Sequence, residues 1–240
     1  MKIIMVAVCS INGKLTKQSN KGYLVENKWL ENNLIARRYL PEYIEILRKI
    51  EKTKLKKKHL GEIVSVLKTG ANVDADHYSN VKDGKPYVLV SSLTDEGLDL
   101  SKTKFVDMET YEKFKNARVL QGDIITNRCG EVGISAIVPS DFAGALPCGF
   151  VFVIRLRKEY DPYYVTSFLN SEIGKKQLQR LAMGTTLDHI TKHDLEGITV
   201  LFLSEPEMKK ISSTMREAIE QRVKSRKFLS QNKDLFIGSL

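Results

Sequence analysis

The stretch Leu120-Gln121-Gly122-Asp123-Ile124-Ile125-Thr126 decides how the chain is read. Gly122-Asp123 is a turn pair, Asp123 caps that turn with its carboxylate, and the aliphatics that follow at once read as a strand. Working outward, Val132 to Val138 and Phe150 to Leu156 are further strand candidates, parted by a loop with Gly144, Pro147 and Gly149. Upstream, Tyr87-Val88-Leu89-Val90 is a strong strand, Phe105-Val106 a weaker one, and Thr110 to Ala117 a short helix. Before these, Leu60-Gly61-Glu62-Ile63-Val64 runs into a Lys68-Thr69-Gly70 turn. Downstream, Asp161 to Leu181 reads as helical, with Tyr164, Phe168, Leu178 and Leu181 as core candidates. A Gly184-Thr185-Thr186 loop follows, then a helical turn around Asp188 to Asp194, and Ile198 to Leu203 closes the unit as a strand. This is a central α/β domain.

Helical segments lie on either side of it. The first residues suggest a strand (Ile3 to Val8) and a turn at Ile11-Asn12-Gly13, and a helical stretch runs from about Lys28 to Lys57, with Pro41 opening its second half. There Tyr43, Ile44, Leu47 and Ile50 follow a three-four spacing that makes one apolar stripe. Its end is cationic: Arg48, Lys49, Lys52, Lys54, Lys56, Lys57 and Lys58 face the lone acid Glu51. At the other side, Ser204-Glu205-Pro206-Glu207 is a capping box, and Ile211, Met215, Ile219 and Val223 repeat every four residues along a helix running towards Asp234. Ile44, Leu47 and Ile50 on one side, and Ile211, Met215, Ile219 and Val223 on the other, are the expected helix–helix interface.

Composition narrows the class. The 240 residues are 42% hydrophobic and 28% charged, a globular mixture that excludes collagen-like, disordered and disulfide-scaffold chains. Lys and Arg number 38 against 29 Asp and Glu, a formal charge of +9 that suits a polyanionic partner or simple solubility. Cys9, Cys129 and Cys148 are odd in number and widely spaced, the pattern of reduced thiols in a cytoplasmic protein. No segment approaches about 18 consecutive apolar residues, so no membrane span is expected.

The signatures of catalysis are missing. Gly130-Glu131-Val132-Gly133 does not complete GxGxxG, and no P-loop, HExxH or GxSxG is present. His189 and His193 stand four apart, the spacing of two ligands on one helix face, but lack a third, so no metal site is expected. Cys148, between Pro147 and Gly149, reads as a small buried residue. Asp123 and Glu131 lack the ExK element of a nuclease site. No catalytic residue, metal or cofactor is therefore assigned to this chain.

Groups suited to nucleic acid are present. The segment Met183 to Lys192 is small and hydroxyl-rich, follows Lys175, Lys176 and Arg180, and no acid occurs from Gly174 to Leu187. Hydroxyls and lysines fix phosphates, whereas Arg and Asn read base edges. Asn127-Arg128, in a glycine-flanked loop after a strand, is a candidate base-reading pair; alternatively Arg128 pairs with Glu131. Charge and periodicity leave DNA binding open.

The order of segments resembles the target recognition domain of type I restriction–modification specificity (S) subunits. The matching residues are Leu60-Gly61-Glu62-Ile63 with Thr69-Gly70, Gly84-Lys85-Pro86-Tyr87-Val88 leading to Ser91-Ser92, and Leu120-Gln121-Gly122-Asp123-Ile124-Ile125 with Val132-Gly133 and Ala136. Tyr163-Tyr164 to Leu169-Asn170-Ser171 with Gly174, the Gly184-Thr185-Thr186…Ile190 loop, and Leu195 to Leu203 before a long helix complete the match over Leu60 to Val223. Each piece is common; the order and spacing are specific.

The resemblance implies an α/β (α+β) target recognition domain with a curved, mixed β-sheet, flanked by long helices able to form a coiled coil. It divides the chain into an N-terminal strand, loop and basic helix (1–58), a DNA target recognition domain (59–204) and a long C-terminal spacer or dimerisation helix (205–240). It implies a non-catalytic, cytoplasmic subunit that binds double-stranded DNA and directs methyltransferase (M) and restriction (R) subunits, which carry S-adenosylmethionine, ATP and Mg2+. With room for one recognition domain, the chain is expected to act as a half-subunit, as a homodimer or paired with another half. DNA contacts are expected from Lys68, Thr69, Ser91, Ser92, Asn127, Arg128, Lys175, Lys176, Thr185, Thr186, His189 and Lys192. Two other readings are a detached specificity domain of a combined methyltransferase–nuclease, and an assembly scaffold whose recognition loops have decayed.

Overall fold

The computed structural model describes residues 3–6, 23–29, 35–79, 84–182 and 188–237. Strands β1 (Ile3–Val6) and β2 (Tyr23–Glu26) pair antiparallel; the turn expected at Ile11 to Gly13 lies outside the described residues. Helix α1 spans Pro41–Lys52, and β3 (Lys56–His59), a single turn α2 (Leu60–Ile63) and β4 (Val64–Thr69) follow directly. Next come β5 (Lys85–Val88), the small hairpin β6 (Leu93–Thr94) and β7 (Gly97–Leu98), β8 (Lys104–Val106) and α3 (Met108–Lys113). Strands β9 (Ile124–Asn127), β10 (Ser135–Ile137), β11 (Leu146–Pro147) and β12 (Val151–Leu156) lead to α4 (Pro162–Asn170), α5 (Glu172–Leu181) and α6 (Lys192–Glu196). Strand β13 (Thr199–Phe202) and α7 (Glu205–Ile237) end the described chain.

The centre is an open four-stranded sheet in the order β10-β9-β12-β4, antiparallel throughout. Its middle strand β12 buries Val151, Phe152, Val153 and Ile154 in succession, because both faces are covered. Ile124, Phe152 and Ile154 face Leu60, Ile63, Val165, Leu169, Leu178 and Leu195 from the helices. Ile125, Val151 and Val153 face Tyr87, Val88, Val106 and Leu146 from a second, three-stranded sheet, β11-β5-β8, with Phe142 from the 3-10 turn Ser140–Phe142 beside them. The parallel pairing that makes the architecture mixed is β11 beside β5, extended by an Ala71–Cys148 bridge.

The structure corrects the first helical stretch and divides the second. The stretch expected from Lys28 to Lys57 is helical as α1 only over Pro41–Lys52, with short 3-10 turns at Asn27–Trp29 and Ala36–Tyr39. Lys56, Lys57 and Lys58 belong to a strand that pairs with Phe202, Leu201 and Val200. The Lys57 ammonium turns back onto α1 and donates to the carbonyls of Ile50 (2.8 Å) and Glu51 (3.0 Å), which have no intrahelical partner. The domain division expected after Lys58 falls inside this strand. Asp161 to Leu181 is two helices, because Ser171 accepts from the Gly174 amide and starts a new one. A side chain at Gly174 would overlap the Phe168 carbonyl, so the tight α4–α5 corner requires glycine.

Both flanking helices lie on their own domain. Ile44 packs with Val25 and Tyr39, beside Leu47, and Ile50 packs with Ile46 and Leu201. Ile211 and Ile219 pack against the core under α4, Met215 is half-buried and Val223 buried. The helix–helix contacts made by these residues are thus internal, α1 against α5 and α7 against α4. One half of the Ser204–Glu207 capping box is formed: the Glu207 carboxylate accepts from the Ser204 amide at 3.0 Å and from its hydroxyl at 2.5 Å, and these bonds hold the Glu207 carboxyl below its usual range. Beyond Val223, Arg226 holds Asp141 through two bonds of 2.8 and 3.0 Å, while Phe228 and Leu229 are exposed. Among the described residues no helix is long and apolar enough to cross a membrane.

Candidate nucleic-acid interface

One end of the central sheet gathers polar side chains from separate segments. Because β12 runs antiparallel to both neighbours, the start of β12 meets the ends of β4 and β9: Phe152 lies opposite Thr69 and Val151 opposite Asn127. The pairing continues one residue further, where the Arg128 amide donates to the Phe150 carbonyl at 3.0 Å. Segment 188–190 is laid alongside the same edge. The Gly130 amide donates to the Asp188 carbonyl (3.0 Å), the Ile190 amide donates to the Arg128 carbonyl (2.9 Å), and Cys129 and His189 form a bridge. Arg37 fixes Asp188 from outside at 2.7 Å.

The result is a cluster of Thr69, Arg128, Phe150 and His189. Thr69, Phe150 and His189 are exposed. Arg128 is half-buried with its guanidinium 5.3 Å from the Phe152 ring, and its buried Nε has no hydrogen-bond partner among the described residues. Glu131, the alternative partner considered for Arg128, is not joined to it by a described ion pair. Thr185 and Thr186 lie outside the described residues, between Ala182 and Asp188.

Other expected contact residues have internal work. Asn127 is buried; its carbonyl oxygen accepts from the amides of Gly133 (3.1 Å) and Ile134 (2.9 Å), and its amide donates to the Glu131 carbonyl. It shapes the turn that carries Arg128 and does not face outward as a base reader. Ser92 is likewise fully buried, accepting from the Leu89 amide and donating to the Lys102 carbonyl at 3.1 Å, whereas Ser91 beside it is exposed. Lys68 turns to the opposite face of β4 from Thr69 and donates to the carbonyls of Asn116 (2.5 Å) and Arg118 (3.0 Å). Burial, and secondarily the Arg155 charge, lowers its pKa. It clamps the segment after α3.

The lysines of α5 and α6 stay near the surface. Lys175 pairs with the exposed Asp95 at 2.5 Å, and its backbone runs past Gly133 on the Arg128 turn. Lys176 pairs with Glu42 at 3.1 Å, which raises its pKa, and Lys192 is exposed 3.7 Å from Glu196. Exposed pairs of this kind contribute about 0–1 kcal/mol, so exchanging a carboxylate for a phosphate costs little.

His189 and His193 are not on one helix face: His189 sits in the extended segment before α6 and His193 within α6. Among the described residues no group of three or more His, Cys, Asp or Glu side chains is placed to hold a metal. Cys148 is buried and burial pushes its thiol pKa up, the reverse of what a nucleophile needs. An aromatic cleft of about 400 Å³ lies beyond the far end of β12, lined by Tyr160, Tyr164, Phe202 and Met208. Phe150 was absent from the residues expected at the interface. It was counted within a strand, and nothing in the pattern GFVFVI marks its first aromatic as exposed.

No family model matches the sequence, and no curated protein is detectably similar to it. Solved structures are similar in fold. The type I restriction–modification S subunit from M. genitalium aligns with a TM-score of 0.54 and 16% identity over 77% of this chain and 44% of its own length. The HsdS subunit from Thermoanaerobacter tengcongensis aligns with a TM-score of 0.51 and 15% identity over 78% and 44%. The type IIG restriction endonuclease BpuSI aligns with a TM-score of 0.56 and 10% identity over 82% of this chain and 31% of its own. The chain spans less than half the length of each of these three. Over about three quarters of its length it shares the fold of part of these S subunits, with open mixed sheets and a long C-terminal helix.

Proposed function

We propose that this chain is a DNA-sequence-reading specificity subunit of a type I restriction–modification system, which brings methyltransferase and restriction subunits to their site. The observation that carries the reading is the sheet-end cluster: the half-buried Arg128, joined to no carboxylate by a described ion pair, the exposed Thr69 hydroxyl and the exposed His189 imidazole, set at or beside strand ends whose register is fixed by a two-sided core. Rigid strand ends hold base-reading groups more precisely than a free loop would. Arg128 reads a base edge in the major groove; Lys175, Lys176 and Lys192 neutralise phosphates. Ser91, exposed beside the buried Ser92, extends the contact surface. S-adenosylmethionine, ATP and Mg2+ act on the partner subunits, and a second recognition domain, from another copy or another half-subunit, completes a bipartite target.

The test is selection from a pool of random duplexes at moderate salt, with the chain alone and with its host's methyltransferase subunit. One enriched motif, sharper with the partner, is expected. Uniform, salt-labile binding overturns the reading and leaves a scaffold. A second reading, the detached specificity domain of a combined methyltransferase–nuclease, is favoured by the likeness to a type IIG endonuclease. It predicts S-adenosylmethionine binding or Mg2+-dependent nicking by this chain, which the first reading does not.

A further inference from the structure

We propose that Phe150 is a base-reading residue whose ring contacts the 5-methyl group of a thymine in the major groove. The inference rests on the DNA-binding reading above and adds to it a residue and a base. A single exposed aromatic is ordinary on any protein surface. What sets this one apart is its mounting and its neighbours.

Phe150 is 54% exposed, while Val151, Phe152, Val153 and Ile154 are buried in succession behind it. Phe150 stands just ahead of β12, in a turn closed by the Val151 amide on the Cys148 carbonyl (3.2 Å). Arg128 lies directly across from it through the 3.0 Å backbone bond and leans over Phe152, which is paired with Thr69 on its other side. Phe150 thus has an arginine at one flanking strand end and a threonine at the other, at the open end of the sheet.

Its approach is fixed by two close contacts. A side chain at Gly70 would overlap the carbonyls of Pro147 and Cys148, and one at Gly149 would overlap the Asn72 side chain. The Cys148 amide further donates to the Val88 carbonyl at 2.8 Å. A backbone held this firmly keeps the Phe150 Cα in one position relative to Arg128. On the floor of the major groove the thymine methyl is the largest apolar group among hydrogen-bond donors and acceptors, and that is the group an apolar ring can distinguish.

The experiment starts from the motif selected by the wild-type chain. Each thymine is replaced in turn by deoxyuridine, which removes the methyl group and keeps the pairing, and affinities are measured for wild type, Phe150→Ala and Phe150→Leu. At one position the replacement weakens wild-type binding about fourfold, the worth of one buried methyl group. Phe150→Ala is indifferent to that replacement, and Phe150→Leu retains part of the response. Thermal unfolding of both variants matches wild type, since the ring is mostly in water. The proposal is overturned if wild type selects a motif in which every thymine tolerates the replacement, or one with no thymine, or if Phe150→Ala responds as wild type does. Should wild type select no motif at all, the DNA-reading function itself falls, and this inference with it.

Discussion

Two arginines occupy the central sheet, and their surroundings are opposite. Arg155 on β12 meets the buried Asp123 through two bonds, 2.7 Å from Nε and 2.8 Å from NH2, and Asp123 also accepts from the Leu120 amide at 2.8 Å. The bidentate bond raises the Arg155 pKa further. Arg128, beyond the end of β9, leans on an aromatic ring and leaves its Nε without a partner among the described residues. The same residue type thus serves two ends. Where hydrogen-bonding capacity is filled by a fixed carboxylate, the arginine locks a turn against a strand; where no described carboxylate engages the half-buried side chain and an exposed threonine and histidine lie beside it, the guanidinium is left for a group outside. If that contrast is real, the two arginines fail in different assays.

The largest effect belongs to the closed end. Asp123→Ala leaves Arg155 without its acid and the Leu120 turn without its acceptor, and is expected to cost about 3 kcal/mol of stability, read by urea unfolding. A loss under about 0.5 kcal/mol, the level of an ordinary surface change, would mean that the pair does not lock the turn. Next is Gly70→Ala, whose new methyl group overlaps two carbonyls of the loop leading to Phe150. It is expected to cost about 1–3 kcal/mol and to displace that loop, so stability and discrimination between duplexes fall together. Arg128→Ala separates them. Its stability changes by less than about 1 kcal/mol, while preference at one base pair drops by about 1–3 kcal/mol, read as the ratio of affinities for matched and mismatched duplexes. An unchanged site preference would return Arg128 to the same structural category as Arg155.

The sequence exposes one side of this contrast better than the other. The turn-then-strand reading at Gly122-Asp123-Ile124-Ile125 holds because turn residues and aliphatic runs are local signals, and Asp123 does cap its turn. Its bond to Arg155 joins residues 32 apart in sequence, and no local pattern announces it. Arg128 was legible as a polar residue following a strand, whereas Thr69, expected in a Lys68-Thr69-Gly70 turn, is the last residue of β4. Asn127 and Ser92 were misjudged for the converse reason: their polarity is spent inward, on backbone groups that only tertiary burial brings near. The run Lys56-Lys57-Lys58 reads as a helix end because nothing apolar alternates in it; it becomes a strand through pairing with Val200, Leu201 and Phe202, far away in the chain. The stripe Ile211, Met215, Ile219 and Val223 was visible as periodicity, but a period gives a face and not the surface it lies on. That surface is α4 of the same chain.

The smallest effect distinguishes lysines as the first distinguished arginines. Lys192 is exposed and only loosely paired to Glu196, whereas Lys68 spends its ammonium on two backbone carbonyls. Each phosphate neutralised by a lysine releases counterions on binding, so removing one such contact lowers the slope of log affinity against log salt by about 0.9. Lys192→Ala is expected to show that reduction, to weaken all duplexes alike and to leave stability within about 0.5 kcal/mol of wild type. Lys68→Ala is expected to do the reverse, losing about 1 kcal/mol of stability as the Asn116 and Arg118 carbonyls lose their donor, with the salt slope unchanged. Equal salt slopes for the two variants would show that exposure and internal pairing do not sort these lysines, and the division between a closed and an open side of the sheet would lose its electrostatic half.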